Sequence, residues 1–425
     1  MEETPILRLN VYCLREIFSY LNIRELIQVD EVCERFQKLI QDIYRRQWKK
    51  LDFLQLKEDL NISIYSEEAE MIAKKVGAHV KELKIWCDNG EDEEVQEENE
   101  LRPGVPSTIL LNCSENLEHL HIENLSLQDN LKTLNELFPK LKSLKLINCD
   151  LSDNMIPGLR FAINLRILDL SNNMNISGSY LPFLRNVEEV SLEGSEYLDS
   201  INLAHMCENN PNIRNLNIFD CPNINQECIN SLARSLQNLE ILTIGYNGSL
   251  NLRFLADLPK LLHIDLNCGE TKDVEAFLDC LAGHDRLKHL SVIISYDSVE
   301  LNPVKKFSKL KYLRIFSSGL LMNNLSSLSC KNNLEELSIN GCRNVNSKDL
   351  LKCVNSCKAL KVLDVRFCQN ITDQFVTDLL PHLSSRSGPL EIKTFYSGIT
   401  KNLSVEHPNL KLKYTVFKNK IEISI

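Results

Sequence analysis

Leu117-Glu118-His119-Leu120-His121-Ile122 places apolar side chains at positions one, four and six of a six-residue frame. The frame returns as Leu141 to Leu146, Leu165 to Leu170, Val187 to Leu192, Ile213 to Ile218 and Leu239 to Ile244. It continues as Leu261 to Leu266, Leu287 to Val292, Leu310 to Ile315, Leu334 to Ile339 and Leu360 to Val365. Successive copies open 24, 24, 22, 26, 26, 22, 26, 23, 24 and 26 residues apart. A period in this range marks stacked supersecondary units, none of which can bury its apolar edge alone. Positions four and six alternate with polar residues, which predicts a short strand with one buried face. Between strands, Ile229, Leu232, Ala233 and Leu236 recur at helical spacing, as do Val274, Phe277, Leu278 and Leu281. Pro139, Pro211, Pro259 and Pro408 each stand two residues before an opening apolar residue, where they help to end the preceding helix.

Three residues past position six, a small polar or thiol side chain often follows: Cys149, Asn173, Cys221, Asn247, Cys342 and Cys368. There the chain leaves the strand, and its backbone groups need a side-chain partner. Asn340-Gly-Cys342-Arg-Asn-Val345 and Arg366-Phe-Cys368-Gln-Asn-Ile371-Thr-Asp373 resemble the cysteine-containing subtype of the leucine-rich repeat. The resemblance implies an α/β solenoid, with a curved parallel sheet inside and helices and turns outside, over residues 49–425 and about 12–13 repeats. A length of 425 residues alone suggests about three domains, and the repeat replaces that expectation with one long module. Val80 to Ile85 reads as an early copy. Leu390-Glu-Ile-Lys393-Thr-Phe395 reads as a late one with a lysine where an apolar residue is expected, and Leu410, Leu412, Tyr414 and Val416 alternate as a final strand.

Residues 5–48 lack the repeat. Leu14, Ile17, Phe18 and Leu21 give one helix an apolar stripe. Asn22 and Glu25 form a capping box that opens a second helix carrying Leu26, Ile27 and Val29. Asp30 is placed to cap a third helix, bearing Val32, Cys33, Phe36, Leu39 and Ile40. Three short helices bury such stripes poorly, which implies a partner; an N-terminal cap for the solenoid is the alternative. Leu14-Arg-Glu-Ile17-Phe18-Ser-Tyr-Leu21 and Val32-Cys33-Glu-Arg35-Phe36, followed by Trp48, resemble the F-box. The usual Leu-Pro-x-Glu start is replaced by Leu9-Asn10-Val11-Tyr12, and Phe36 stands where tryptophan is commoner. An F-box before leucine-rich repeats resembles the F-box/leucine-rich-repeat family. The resemblance implies a non-catalytic substrate receptor that docks a Skp-family adaptor, and through it cullin and RING subunits, with the repeats presenting a protein substrate for ubiquitination. Its adaptor contacts would be Leu9, Asn10, Leu14, Ile17, Phe18, Leu21, Leu26, Val32, Cys33 and Phe36. A leucine-rich-repeat scaffold or inhibitor without a ligase is the competing expectation.

If positions four and six point inward, positions three, five and seven line the open, concave face of the sheet. Toward the C-terminus these columns hold Phe219, Ile241, Tyr312, Arg314, Phe316, Glu336, Asn340, Asp364 and Arg366. Tyr, Phe and Arg are the residue types that anchor interfaces, so Phe219, Ile241, Tyr312, Arg314, Phe316, Glu336, Asn340 and Arg366 are the expected substrate contacts. A scattered solvent-facing column is the alternative.

No phosphate loop, nucleophile elbow or metalloprotease helix is present, so neither catalysis nor a cofactor is expected. Cys342, Cys353, Cys357 and Cys368 lack the paired spacing of a structural zinc site and read as buried thiols, with no metal. His119, His121, His263 and His289 fall in strands rather than beside a nucleophile. The net charge of −10 does not suggest a sequence-independent grip on nucleic acid, with a local basic patch as the alternative. Residues 88–100 supply eight acids in thirteen residues and read as a solvated, disordered insertion, or else as a tether for a basic partner. No apolar run spans a bilayer, and no prenylation cysteine ends the chain. The 15 cysteines, odd in number and scattered, together with the lack of a visible secretory leader, point to cytoplasm or nucleus, with the secretory path as the alternative.

Overall fold

The side chains at positions four and six decide the architecture. In the computed structural model, which describes residues 5–64, 66–87, 105–127, 131–246, 250–268, 272–294, 302–317, 333–386 and 388–414, each of the eleven frames opens a strand two residues after its first apolar residue. The acidic run 88–100 and Val416 lie outside the described residues. The chain divides into two compact units, Met1–Asn202 and Leu203–Ile425.

The first unit carries parallel strands β1 (Lys50–Asp52), β2 (Glu82–Trp86), β3 (His119–Glu123), β4 (Ser143–Ile147), β5 (Ile167–Asp169) and β6 (Glu189–Ser191). Their register aligns Leu51, Leu83, Leu120, Leu144, Leu168 and Val190, none more than 2% exposed. The second unit carries β7 (Asn215–Ile218), β8 (Ile241–Tyr246), β9 (His263–Cys268), β10 (His289–Ile294), β11 (Tyr312–Ser317), β12 (Glu336–Ser338), β13 (Val362–Asp364), β14 (Leu390–Lys393) and β15 (Leu410–Lys413), again parallel. Leu216, Leu242, Ile264, Leu290, Leu313, Leu337, Leu363 and Ile392 form the same buried column there. Each residue buried in such a column adds roughly 1.5–3 kcal/mol of hydrophobic stabilisation.

Two strands depart from the reading of the sequence. Trp48-Lys-Lys-Leu51-Asp-Phe53 is itself a frame, with Leu51 and Phe53 buried, and it makes β1. In β14 the frame is one residue short: Ile392 pairs with Leu363 at position four and buried Thr394 takes position six. Lys393 therefore takes outward position five beside Asp364, and its charge is not a defect in the core.

The segment after each strand follows repeat length. Copies 26 residues apart return through helices of ten residues or more: α8 (Ser200–Asn209, in which the unit boundary falls), α9 (Gln226–Ser235), α10 (Lys272–His284) and α11 (Ser347–Ser356). Shorter copies return through 3-10 turns such as Pro157–Phe161, Leu181–Phe183 and Arg253–Asp257, or, between β3 and β4, through a seven-residue helix, Leu131–Leu137. An α-helix rises only about 1.5 Å per residue against about 2.0 Å in a 3-10 turn, so the same return consumes more residues. The remaining helices are α1 (Val11–Ser19), α2 (Ile23–Asp30), α3 (Glu34–Gln47), α4 (Phe53–Leu60), α5 (Glu67–Val76), α6 (Val105–Cys113), α7 (Leu131–Leu137) and α12 (Asp373–Leu383).

The exit from each strand is built in one way. The thiols of Cys149, Cys342 and Cys368 donate to Ile122 O, Ile315 O and Ile339 O, and Asn173 Nδ2 donates to Leu146 O. Each acceptor is the position-six carbonyl of the preceding repeat, so these side chains sew neighbours together. Burial pushes the Cys149 and Cys368 thiols up to about 12, so both stay protonated donors. Just before this residue the backbone turns left-handed, at Asn124, Asn148, Asn172, Gly194, Asp220, Gly341, Phe367 and Tyr396. Gly341 (φ 74°) has a second constraint, because an added Cβ would lie 2.6 Å from Phe316 Cε2. Gly341→Ala is expected to cost about 1–2 kcal/mol of backbone strain and to displace the Phe316 ring. Chemical denaturation measures the cost, and an unchanged midpoint would contradict it.

Candidate functional site

The N-terminal helices form as the caps dictate. Asn10 Oδ1 accepts from Cys13 N at 2.9 Å, and Asn22 and Glu25 close the capping box. Asp30 does not cap α3, whose N-cap is Cys33. It is instead buried at the end of α2 and meets Lys75 of α5 at 2.7 Å. Arg24 of α2 forks onto Glu68 of α5 beside it, so the helical module is fixed to the first repeats. Arg35 holds the chain before α1 by donating to Leu7 O and Leu9 O, both at 2.5 Å.

The structure divides the expected adaptor contacts into two classes. Leu14, Phe18, Leu26 and Phe36 are buried, with Phe18 and Phe36 edge to face at 5.0 Å. Burial of these stripes on one another is what makes the three helices a module, and these four side chains form its core. Leu9, Leu21 and Cys33 are half-buried, and Asn10 is exposed but engaged as a cap. Ile17 and Val32 are exposed. Tyr12 and Tyr20, 80% and 81% exposed, share with Glu16 an exposed face at spacings of four, which the sequence reading did not single out. Their signal was available, since the helical phase that buries Leu14 and Phe18 turns residues 12, 16 and 20 outward.

On the second unit, the outward columns of β7 to β14 surround a hollow of about 390 Å³. Of the expected substrate contacts, Phe219, Tyr312, Arg314, Glu336 and Arg366 line it; Ile241, Phe316 and Asn340 do not. Phe219 is only 4% exposed, so it is wall and not a protruding anchor. Arg366 is held by the buried Asp364 through Nε to Oδ1 at 2.9 Å and Nη2 to Oδ2 at 2.6 Å. That fork fixes the guanidinium plane at the edge of the hollow. Lys393 Nζ stands 4.0 Å from Glu336 Oε1. Phe367 and Tyr396, exposed and left-handed, stack at 5.7 Å, and Phe395 meets Tyr396 edge to face at 4.3 Å.

The other wall comes from β9 and β10. His263 and His289 are register partners at position three and stack with centroids 3.7 Å apart. His263 Nε2 lies 2.8 Å from Asp265 Oδ2, and His289 Nε2 lies 3.4 Å from Asp265 Oδ1. Tyr312 extends the stack at 5.8 Å from His289. Burial by itself raises the Asp265 carboxyl, but hydrogen bonds and charge from both imidazoles outweigh it and hold the group well below the usual carboxylate range. His263 and His289 occupy equivalent places in consecutive frames, a coincidence legible in the sequence once the repeat is aligned. Cys342, Cys353, Cys357 and Cys368 are all buried and form no metal-ligand group among the described residues.

The hollow thus presents an apolar and aromatic wall with carboxylates, cations and imidazoles at fixed places, suited to a mixed polar and apolar ligand such as a polypeptide. No helix of the described residues is long and apolar enough to cross a membrane. No known family model matches the chain. A Caenorhabditis elegans protein described as a putative RNA-binding protein is 22% identical over 382 residues, covering 85% of this chain and 47% of its own. The chain therefore spans about half the length of that relative. Among solved structures, an internalin from Listeria monocytogenes is similar at a TM-score of 0.47 and 18% identity, covering 83% of this chain and 89% of that one. Repeat frame, parallel register, buried leucine columns and shared strand exits make this an α/β fold of the leucine-rich-repeat type.

Proposed function

We propose that the chain is a substrate-recognition subunit of a Skp-cullin-F-box ubiquitin ligase, docking a Skp-family adaptor through residues 5–48 and capturing a protein on the sheet face of the second unit. One observation carries this reading. The F-box-like helices complete their own core and still display Tyr12, Ile17, Tyr20 and Val32 to solvent. Aromatic and aliphatic side chains exposed on so small a module mark a surface that a partner covers. Such a subunit needs no chemistry of its own, because its contribution is proximity. The hollow supports a protein as cargo: Arg314, Arg366 and Lys393 are matched by Asp265, Glu336 and Asp364, whereas an RNA site would carry an excess of cations.

Co-purification of the intact chain with a Skp-family adaptor tests the proposal. Ile17→Glu with Val32→Glu is expected to weaken adaptor capture by about 100-fold or more, in line with loss of two interface anchors, while leaving the repeats folded. Arg314→Ala with Tyr312→Ala, both lining the hollow, is expected to abolish capture of a cellular protein while sparing the adaptor. Failure of the intact chain to bind the adaptor would sink the ligase reading and leave a leucine-rich-repeat scaffold or inhibitor. RNA retained at the hollow, with affinity falling steeply as salt rises, would instead extend to this chain what the relative's description says.

A further inference from the structure

We infer that His263, Asp265 and His289 form a binding site for a divalent transition-metal ion of the zinc class, with an open coordination position facing the hollow. The argument begins with the backbone. Parallel pairing places residues 263 and 289 side by side, and Asp265 follows two residues on along β9, so all three side chains leave the same face of a rigid sheet. Their donor atoms already converge: one nitrogen from each histidine and one carboxylate oxygen lie within 4.8 Å of one another. Tetrahedral bonds of about 2.0–2.1 Å place donors roughly 3.3 Å apart, so the widest pair closes by about 1.5 Å at most. Small rotations of the two stacked rings, within their broad ring torsions, supply that movement.

The chemistry of the set selects the ion. Two imidazole nitrogens and one carboxylate oxygen suit zinc, ferrous iron, cobalt, nickel or copper, whereas magnesium and calcium take oxygen. The two rings stack with centroids 3.7 Å apart, and the Nε2 atom of each faces Asp265, so all three side chains are directed at a single centre. Thr243 Oγ1, on the neighbouring strand β8 and 3.5 Å from Asp265 Oδ2, is placed to steady the carboxylate. Three protein ligands leave a fourth place for water or for a side chain of whatever enters the hollow. The inference does not depend on the ligase reading, since the ion needs only these residues.

Titrating the full-length chain with Zn²⁺, and with Co²⁺ as a coloured probe, tests the site. Expected are one equivalent bound and a cobalt spectrum of nitrogen and oxygen ligands without the thiolate charge-transfer band that the chain's cysteines would give. His263→Gln and His289→Gln are each expected to weaken binding by more than about 100-fold, beyond the 10–100-fold cost of losing an outer partner. Nuclear magnetic resonance of the histidine rings in the unsubstituted chain provides a readout independent of variant folding: zinc should shift two imidazoles together. Thiolate-type spectra, binding retained in the triple variant His263→Gln/Asp265→Asn/His289→Gln, or no saturable binding with all imidazoles unmoved, would each overturn the assignment.

Discussion

Replacing Arg386 by methionine is expected to destabilise the second unit by about 3–5 kcal/mol, because each buried carbonyl left without a donor costs about 1–3 kcal/mol. The guanidinium is only 7% exposed, yet it pairs with no carboxylate among the described residues. It donates to three backbone carbonyls, Val354 O at 3.0 Å, Cys357 O at 3.1 Å and Leu360 O at 2.5 Å. They lie at the end of α11 and in the turn after it, where a helix leaves carbonyls without intrahelical donors, and Cys357 O also accepts from Leu360 N at 3.1 Å. A planar fork reaches all three at once. Methionine matches the length and packs well, but donates nothing. Burial pulls the guanidinium pKa downward, so the charge is costly to keep and its retention argues for the carbonyl bonds as the gain. Arg386→Lys is expected to recover little, since one ammonium cannot reproduce the spread of the fork. Chemical denaturation gives the total, and hydrogen exchange shows whether the loss is concentrated in α11 and α12. A change under about 1 kcal/mol would mean that solvent replaces the arginine without penalty.

Arg386 shows where the sequence ceases to be readable. Nothing in Ser384-Ser-Arg386-Ser-Gly388 separates this arginine from a solvated loop residue. Its role arises from carbonyls 26 to 32 residues away. The strands were legible because burial at positions four and six is imposed locally by a period-two backbone, and repetition amplifies that weak signal. β1 escaped notice because Trp48 had been read with the helices, although Trp48, Leu51 and Phe53 obey the frame. At β14 the apparent lysine in the core arose from counting, since one residue is missing between Leu390 and Ile392.

The candidate site was readable in its columns and not in its pairs. The alternation that buries position four must turn positions three, five and seven outward, which is how Tyr312, Arg314, Glu336 and Arg366 could be named together. Which charges meet there depends on register between copies of unequal length. Asp364 holding Arg366 and Asp265 joining two histidines emerge only when neighbouring strands are laid side by side. In the helical module, apolar identity alone does not separate core from surface: Leu14, Phe18, Leu26 and Phe36 fill the module's own core, whereas Ile17 and Val32 face solvent.

The strand exits carry the second large expectation. Asn173→Leu should cost the first unit about 3–5 kcal/mol, since it strips partners from several buried backbone groups at once. Asn173 is 1% exposed and uses both ends of its amide. Its Oδ1 accepts from Cys149 N at 3.0 Å and Leu151 N at 3.1 Å, and its Nδ2 donates to Leu146 O at 2.7 Å and Leu170 O at 2.8 Å. Cysteine at the equivalent place in other copies supplies only the donor half of this arrangement. Asn173→Cys is therefore expected to be less costly than Asn173→Leu, by about 1 kcal/mol, through one restored bond to Leu146 O. The two amides at Cys149 and Leu151 should lose protection from hydrogen exchange in both variants, because neither side chain offers them a strong acceptor. Equal stability of the leucine and cysteine variants would show that the thiol contacts shared by these exits are only packing. An asparagine-specific loss with partial cysteine rescue would show that backbone hydrogen bonds between neighbouring repeats, as well as the leucine columns, hold the stack in register.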